Sequence, residues 1–364
     1  MVSNVAPKGN VGEWSELFAL AYLLVQGGAY SANSDQEPNH NLYYKVLQIV
    51  IADEGLQGEI RYDIRDDHIA IFEDGYLVTE VDKNEIKRQT DFFFVDLTSG
   101  TGKKTFALDS GQRLMALLNK KSISAASSER ETDLSLVIAD HESGGPTPRY
   151  GFSIKSQLGQ PSTLLNSSGS TNIIYEILSS AVSGKFPLPD ISKTASSHPQ
   201  NVRAILEAGY TLKFHGYQSE IFAENLSYVD SQLPEHLAKV VLESYVHDEI
   251  KGFSAVAERV FSPTEKSSEQ PLFKLREFLG AVSMGLRPNT VWRGNASKFK
   301  GLMLVKQDGT VLFYYLNSRL NFEEYLYKNV RFERPSTKRH KYGFIFEEDA
   351  SNFIKLNLQI RFQR

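Results

Sequence analysis

In the stretch ETDLSLVIADHESGGPTPRYGFSIKSQLGQ, residues Glu131 to Gln160, Asp133 and Lys155 stand at the two ends of what reads as one hairpin. The apolar run Leu134–Ala139 and the run Tyr150–Ile154 are parted by a turn-rich segment holding Gly144, Gly145, Pro146 and Pro148. Apolar runs bounded by Gly and Pro predict two paired strands. Such a hairpin puts Asp133, at the start of one strand, beside Lys155, at the end of the other. A carboxylate beside an ammonium is the minimum set for metal-assisted attack on a phosphodiester. The carboxylate holds a divalent cation, the cation polarises the phosphate, and the lysine positions or activates the water. The same pair, taken alone, also fits a strand-end acid and a solvated lysine, so the rest of the chain has to discriminate.

The elements that must position this pair begin near the N-terminus. Asn10 to Val25 predicts the first helix, with Asn10 as cap, Glu13 completing a capping box and Gly27-Gly28 as the stop. Trp14, Leu17, Phe18, Ala21 and Leu24 recur at helical spacing. Glu13 suits the helix dipole. Glu16 sits deeper, next to the apolar stripe. Residues 41–107 read as strands over Tyr43–Ala52, Glu59–Ile64, His68–Phe72 and Phe92–Leu97, with Glu54-Gly55 and Asp74-Gly75 as turns. Their acids read as a solvated face. Leu108–Leu118 predicts a short helix. After Lys155, the segment Ser156 to Asn172 is rich in Ser, Thr, Asn and Gly, whose hydroxyls and amides suit phosphate oxygens or base edges. Ser156, Gln157 and Asn172 are its expected DNA contacts. Ile173 to Val182 is expected to be helical, carrying Glu176.

Further on, Asn201–Ala208, Pro234–Ile250, Ser254–Phe261 and Pro271–Met284 have helical spacing, punctuated by prolines. Gly301–Lys306, Asp308-Gly309 and Thr310–Leu316 predict a β-hairpin. Phe322–Tyr327 predicts a short helix and Ile354–Phe362 a closing strand. His198, His215, His236 and His247 are too scattered to form a metal signature.

Composition frames these elements. The chain has 364 residues, 41% hydrophobic and 23% charged, which suits one large domain or two intimate ones. It has no cysteine, which excludes disulfides and thiolate zinc sites. The N-terminus MVSNVAPKGN is not a signal peptide, and an intracellular location is expected. A net charge of −4 hides a polarity. Residues 35–97 are acid-rich, while Arg331, Arg334, Lys338, Arg339 and Lys341 cluster near the end. A bipolar molecule can turn one basic face to a phosphate backbone. Lys338, Arg339 and Lys341 are expected to contact phosphates, with His340 reaching into a groove.

An Asp, a hairpin and then x-Lys resembles the PD-(D/E)xK nuclease motif, with Asp133 and Ser153-Ile154-Lys155 as the matching residues. Ser153 departs from it, standing where that superfamily usually has Glu or Asp. The wording of GEWSELF, YGFSIKSQLGQPSTLLNSSGSTNIIYEI and IKLNLQIRF, in that order, resembles the HpaII-type restriction endonuclease family. The resemblance implies an α/β or α+β fold, a restriction-endonuclease-like mixed sheet flanked by helices. Residues 1–185 would form the nuclease core, with a β-rich insertion at about 40–107. Residues 186–364 would form a helical and β C-terminal region that contributes to DNA binding.

The resemblance also implies Mg²⁺-dependent, site-specific hydrolysis of double-stranded DNA, at CCGG. Asp133 and the Ile154 carbonyl would bind Mg²⁺, and Lys155 would orient or deprotonate the attacking water. Glu176 or Glu16 would replace the acid absent at Ser153, with Glu131 ranked third. A palindromic target suggests a two-fold homodimer, while cutters of short sites also act as monomers. A cognate DNA methyltransferase would be the functional partner, in a prokaryotic cytoplasm. Two other readings compete: a non-sequence-specific or repair nuclease on the same core, and a DNA-binding module whose site is dead because of Ser153.

Overall fold

The computed structural model describes residues 7–53, 58–99, 105–123, 132–140, 143–179, 198–294, 299–315 and 319–363. The chain opens with α1 (Val11–Gln26), followed by β1 (Gly28–Ala32), β2 (Pro38–Ala52), β3 (Glu59–Ile64), β4 (His68–Glu73) and β5 (Tyr76–Asp82). Then come α2 (Lys83–Ser99), α3 (Asp109–Leu117), β6 (Leu134–Ile138), β7 (Tyr150–Ser156), β8 (Thr163–Leu165) and β9 (Asn172–Ser179). Next are α4 (His198–Glu207), β10 (Tyr210–Tyr217), α5 (Glu220–Val229), α6 (Leu233–Val246), α7 (Phe253–Val260) and α8 (Glu269–Ser283). The chain closes with β11 (Phe299–Val305), β12 (Val311–Tyr315), α9 (Arg319–Asn329), β13 (Val330–Phe332) and α10 (Thr337–His340). After these come β14 (Ile345–Glu348), β15 (Ser351–Asn357) and β16 (Ile360–Phe362). Among the described residues no helix is long and apolar enough to cross a membrane.

These elements form two compact units, Met1–Ser162 with Ala296–Phe322, and Thr163–Asn295 with Glu323–Arg364. The sequence reading divided the chain at 185. The units are instead interleaved, because the late hairpin β11–β12 completes the first sheet. β11 pairs in parallel with β7, and β12 in parallel with β1.

The first unit holds a nine-stranded mixed sheet of order β1-β12-β11-β7-β6-β2-β3-β4-β5. The long β2 pairs with β1 through residues 38–45 and with β6 and β3 through residues 46–52, so β1 also closes back on β2. This is the mixed sheet with flanking helices that the sequence led us to expect. α1 begins as expected. Asn10 accepts from Gly12 N at 2.8 Å and Glu13 N at 3.1 Å, and Glu13 Oε2 accepts from Asn10 N at 2.7 Å. Gly27 ends it in the left-handed conformation at φ 71°. Trp14 is wholly buried, stacked edge-on against Phe93 and donating from Nε1 to the Phe106 carbonyl at 3.1 Å.

The aromatic run Phe92–Leu97, expected to be a strand, is the last part of helix α2. Its buried residues Ile86, Thr90, Phe93 and Leu97 follow a helical period, while Phe92 stays 60% exposed. Three consecutive phenylalanines hide that period from a reading by residue type. Asp82 caps the helix, accepting from Asn84 N at 2.7 Å and Glu85 N at 3.2 Å. The acids of β3–β5 meet arginines at the surface, as in Arg61–Asp63 at 3.0 Å and Arg65–Glu80 at 2.8 Å.

The second unit contains two small antiparallel sheets, β10-β9-β15-β14 and β13-β16-β8. Its helices bury Leu237, Val240, Val241, Tyr245, Phe253, Leu275 and Phe278. Two elements there depart from expectation. Ile173–Leu178, expected to be helical, is part of strand β9, with Ile173, Tyr175 and Ile177 buried at a period of two. Short runs of Ile, Tyr and Leu suit either state, and the hydrogen-bonding edges of β10 and β15 on both sides select the strand. The expected single closing strand breaks at Leu358-Gln359 into β15 and β16, which join different sheets.

Candidate active site

The expected hairpin is present. β6 and β7 pair antiparallel with Leu134 opposite Phe152, and Asp133 N donates to the Phe152 carbonyl at 2.9 Å. This register sets Asp133 against Ser153. Asp133 Oδ2 accepts from Ile154 N at 2.5 Å and from Ser153 Oγ at 3.1 Å. Ser153 Oγ in turn accepts from Lys155 Nζ at 3.0 Å. Because side chains on a strand alternate, Ser153 and Lys155 lie on the same face of β7. Asp133, Ser153 and Lys155 therefore form one hydrogen-bonded chain, with the Ser153 hydroxyl between the carboxylate and the ammonium. Asp133 Oδ1 makes no hydrogen bond among the described residues.

α1 is tied to the end of β7 by small polar side chains. Ser15 Oγ donates to the Val11 carbonyl at 2.6 Å, and Ser156 Oγ donates to Ser15 Oγ at 2.8 Å. Gly159 lets the following loop close on the helix, since a Cβ there would stand 3.0 Å from Val11 Cβ. This seats Glu16, adjacent to Ser15, within electrostatic reach of both Asp133 and Lys155. Glu16 is half-buried and makes no hydrogen bond or ion pair among the described residues. Burial pushes its pKa up to about 8. The Asp133 charge and, more weakly, Glu13 push the same way, while Lys120 and Lys155 pull it back. An ionised Glu16 beside Asp133 is thus short of positive charge.

That shortage is the test of metal fit. Two carboxylates with unsatisfied oxygens and no nitrogen or sulfur donor match the preference of Mg²⁺ for oxygen, with water and phosphate supplying the remaining positions. Among the described residues no group of three or more His, Asp and Glu side chains could enclose an ion. Two protein carboxylates are still an ordinary complement for Mg²⁺.

Glu176, expected on a helix, is on strand β9 of the second unit, in register with Lys213 and Phe353. Glu131 lies outside the described residues. Ser156 uses its hydroxyl on Ser15 and on Leu158 N, and Gln157 Nε2 donates to Gln36 Oε1 at 2.5 Å. Asn172 is wholly buried, so it offers no surface to DNA. Its amide holds the His340 carbonyl at 2.9 Å and Gln218 Oε1 at 3.0 Å. Lys338, Arg339 and Lys341 are exposed around the single turn of α10, and His340 is half-exposed with Nε2 3.2 Å from Ser167 Oγ. Burial, then Arg339, lowers the His340 pKa below the usual histidine value.

Sequence reasoning missed Lys120. It is nearly buried, 4.0 Å from the wholly buried Asp53 carboxylate, and its charge acts on Glu16. Asp53 accepts from Lys121 N at 2.7 Å and Ser122 N at 3.0 Å. A Lys-Lys pair after a short helix carries no signal of burial.

The family model for the HpaII restriction endonuclease matches residues 10–362. The chain belongs to the HpaII restriction endonuclease family. It is 31% identical to the type II restriction enzyme HpaII of Haemophilus parainfluenzae over 367 residues, covering 97% of this chain and 98% of that one. No solved structure matches it. As a member of the HpaII family the protein is a site-specific deoxyribonuclease acting on double-stranded DNA. Membership of this family selects the restriction reading over a non-specific nuclease or a dead binding module.

Proposed function

We propose that this HpaII-family enzyme hydrolyses duplex DNA at CCGG, with Mg²⁺ held by Asp133 and Glu16 and by the Ile154 carbonyl. The observation that carries the active-site reading is the hydrogen-bonded chain Lys155–Ser153–Asp133 with, in its electrostatic reach, the Glu16 carboxylate, unpaired among the described residues. When bound, the metal supplies Lewis-acid polarisation of the phosphate and neutralises charge developing on it. Lys155 orients the attacking water, in line with the leaving 3′ oxygen, and faces the charge that grows on the phosphoryl oxygens. Ser153 holds the Lys155 ammonium against Asp133, which limits the rotamers of a long side chain. Ile154 N and Ser153 Oγ together fix the Asp133 carboxylate, so that Oδ1 is the oxygen left for a cation. Glu16 takes the place of the acid missing from β7, since it shares a unit with Asp133 and Lys155 and has no other partner among the described residues.

The palindromic target supports a two-fold homodimer, and the restriction role supports a cognate methyltransferase that protects the host site. Digestion of a sequenced plasmid with Mg²⁺, with the ends mapped, tests the whole reading. Discrete fragments ending within CCGG are expected. Fragments ending at another sequence would refute the specificity, and a smear would refute site recognition.

A further inference from the structure

The second unit contains a set of buried polar side chains for which phosphodiester hydrolysis has no use. Asn172 is fully buried and Asn357 is 1% exposed, and they are register partners across β9 and β15. Asn357 Nδ2 donates to Asn172 Oδ1 at 2.7 Å, to the Ser168 carbonyl at 2.7 Å and to Thr171 Oγ1 at 3.1 Å. With its oxygen engaged, Asn172 directs its two N–H groups to Gln218 Oε1 and to the His340 carbonyl. A buried amide must be hydrogen-bonded, because an unpaired one loses its water without replacement. Here the partners are three surface segments far apart in sequence: the turn Ser167–Thr171, Gln218 just after β10, and the basic turn of α10.

The basic turn is secured at other points as well. Tyr342 is buried and donates from its hydroxyl to the Pro335 carbonyl at 2.7 Å. Asn201 Nδ2 donates to the Gly343 carbonyl at 2.8 Å. Lys341 holds the left-handed conformation at φ 50°. The exposed Lys338, Arg339 and Lys341 thus extend from a backbone with little freedom to move.

Gln218 is the unusual member. It is exposed, yet its orientation is set from below, because Asn172 donates to Oε1 and Gln218 N donates to the Asn172 carbonyl at 2.9 Å. Its Nε2 makes no hydrogen bond among the described residues. The carbonyl end is turned inward to Asn172, and the amide nitrogen, next to Gly169, keeps its two N–H donors without a partner among the described residues. A surface glutamine ordinarily loses considerable rotamer freedom on binding, and here much of that freedom is already gone on folding.

We propose that Gln218 is a base-reading residue of this enzyme, presenting its amide donors to an acceptor edge of duplex DNA. Lys338, Arg339 and Lys341 contact phosphates on the same surface, and Asn172 is the positioning residue beneath them. Guanine is the base that fits, since its major-groove edge offers the O6 and N7 acceptors. Bidentate reading of adenine needs an outward carbonyl oxygen, and that of Gln218 is turned inward to Asn172. This inference rests on the restriction-enzyme reading and places part of its base recognition in the second unit.

Two variants test it. Gln218→Glu keeps an oxygen for Asn172 to donate to and replaces the amide donors with an acceptor. Gln218→Ala removes the side chain beyond Cβ. Gln218→Glu is expected to melt like wild type, Gln218→Ala to lose stability because Asn172 Nδ2 is left without its acceptor, and both to cut the cognate site at least about tenfold more slowly. Gln218→Ala should also lose discrimination at one guanine while its affinity for unrelated DNA and the salt dependence of that affinity stay unchanged. Wild-type cleavage without site preference would fail the restriction reading itself. Site-specific wild-type cleavage, with the rate and site preference retained in both variants, would overturn the inference alone. An equal loss of affinity for every sequence in Gln218→Ala would make Gln218 a phosphate contact and would also overturn it.

Discussion

Around α1 and β7 small neutral serines surround the charged Glu16, Asp133 and Lys155, whose charges are incompletely matched. Around β9 and β15 the wholly buried polar side chains Thr171, Asn172 and Asn357 are neutral and directed at one another and at surface segments. The charges of Asp133, Lys120 and Lys155 all act on Glu16, and burial with the like charge of Asp133 lifts it to about 8. Asn172, Asn357 and Thr171 carry no charge and are linked to one another by hydrogen bonds. The difference separates two tasks. A reacting centre needs groups whose charge is unsatisfied until substrate and cation arrive. A recognition surface needs groups whose direction is already set before DNA arrives. Neutral amides do this second task without the desolvation cost of a buried ion.

The largest expected break in the comparison comes from the charged region. Lys155→Ala should lower the cleavage rate by roughly 10²–10⁴-fold, the usual worth of a positioned proton-transfer group, while gel-shift affinity for cognate DNA survives. Cleavage within about tenfold of wild type would remove Lys155 from the reaction. Glu16→Gln comes next. It should weaken Mg²⁺ binding in calorimetric titration and slow cleavage, whereas Asn172→Ala should leave the Mg²⁺ affinity alone. Equal Mg²⁺ affinity in Glu16→Gln and wild type would exclude Glu16 as the second carboxylate.

The pH dependence of stability follows from the same group. The folded-state pKa of Glu16 is raised above its ordinary value, so the folded protein binds that proton more tightly than the unfolded chain. The contribution is fully present below about pH 4.5 and is lost as pH rises through about 8. Metal-free wild type should therefore lose stability across this window relative to Glu16→Gln, measured by urea melts at each pH. Parallel pH profiles for the two proteins would contradict the burial of that charge.

Effects in the neutral region should be smaller and of another kind. Asn172→Ala leaves partners unsatisfied and should cost about 1–3 kcal/mol of stability, read from denaturant melts. It should also weaken DNA binding through the loosened His340 and Gln218 segments, with any residual cleavage chemistry keeping its metal dependence. The smallest change is expected for Arg339→Ala. Removing one phosphate contact should reduce the slope of log affinity against log salt by about 0.9, and an unchanged slope would assign Arg339 to the solvated surface.

The sequence by itself determined the parts whose signals are local. The capping box at Asn10, the stop at Gly27, the hairpin from Asp133 to Lys155 and the hairpin through Asp308-Gly309 each need only a few adjacent residues to be specified. The wording of the family was local too, and so Asp133, Ser153 and Lys155 could be named in advance. Tertiary structure alone decided what depends on distant neighbours. The sequence predicts a helix at Glu176, but IIYEIL suits either state, and the edges of β10 and β15 make it a strand. Asn172 has the residue type of a DNA contact, but its position under Gln218, His340 and Asn357 makes it an internal brace. Gln218 carries no signal at all in the chain, because its carbonyl is oriented only by a residue 46 positions earlier. Glu16 could be suspected from its place on a helix, but the charge imbalance that suits it to a cation arises only when Ser15 and Ser156 bring α1 and β7 together. Local chemistry is written in residue types and spacings, whereas burial and charge environment belong to the packed structure.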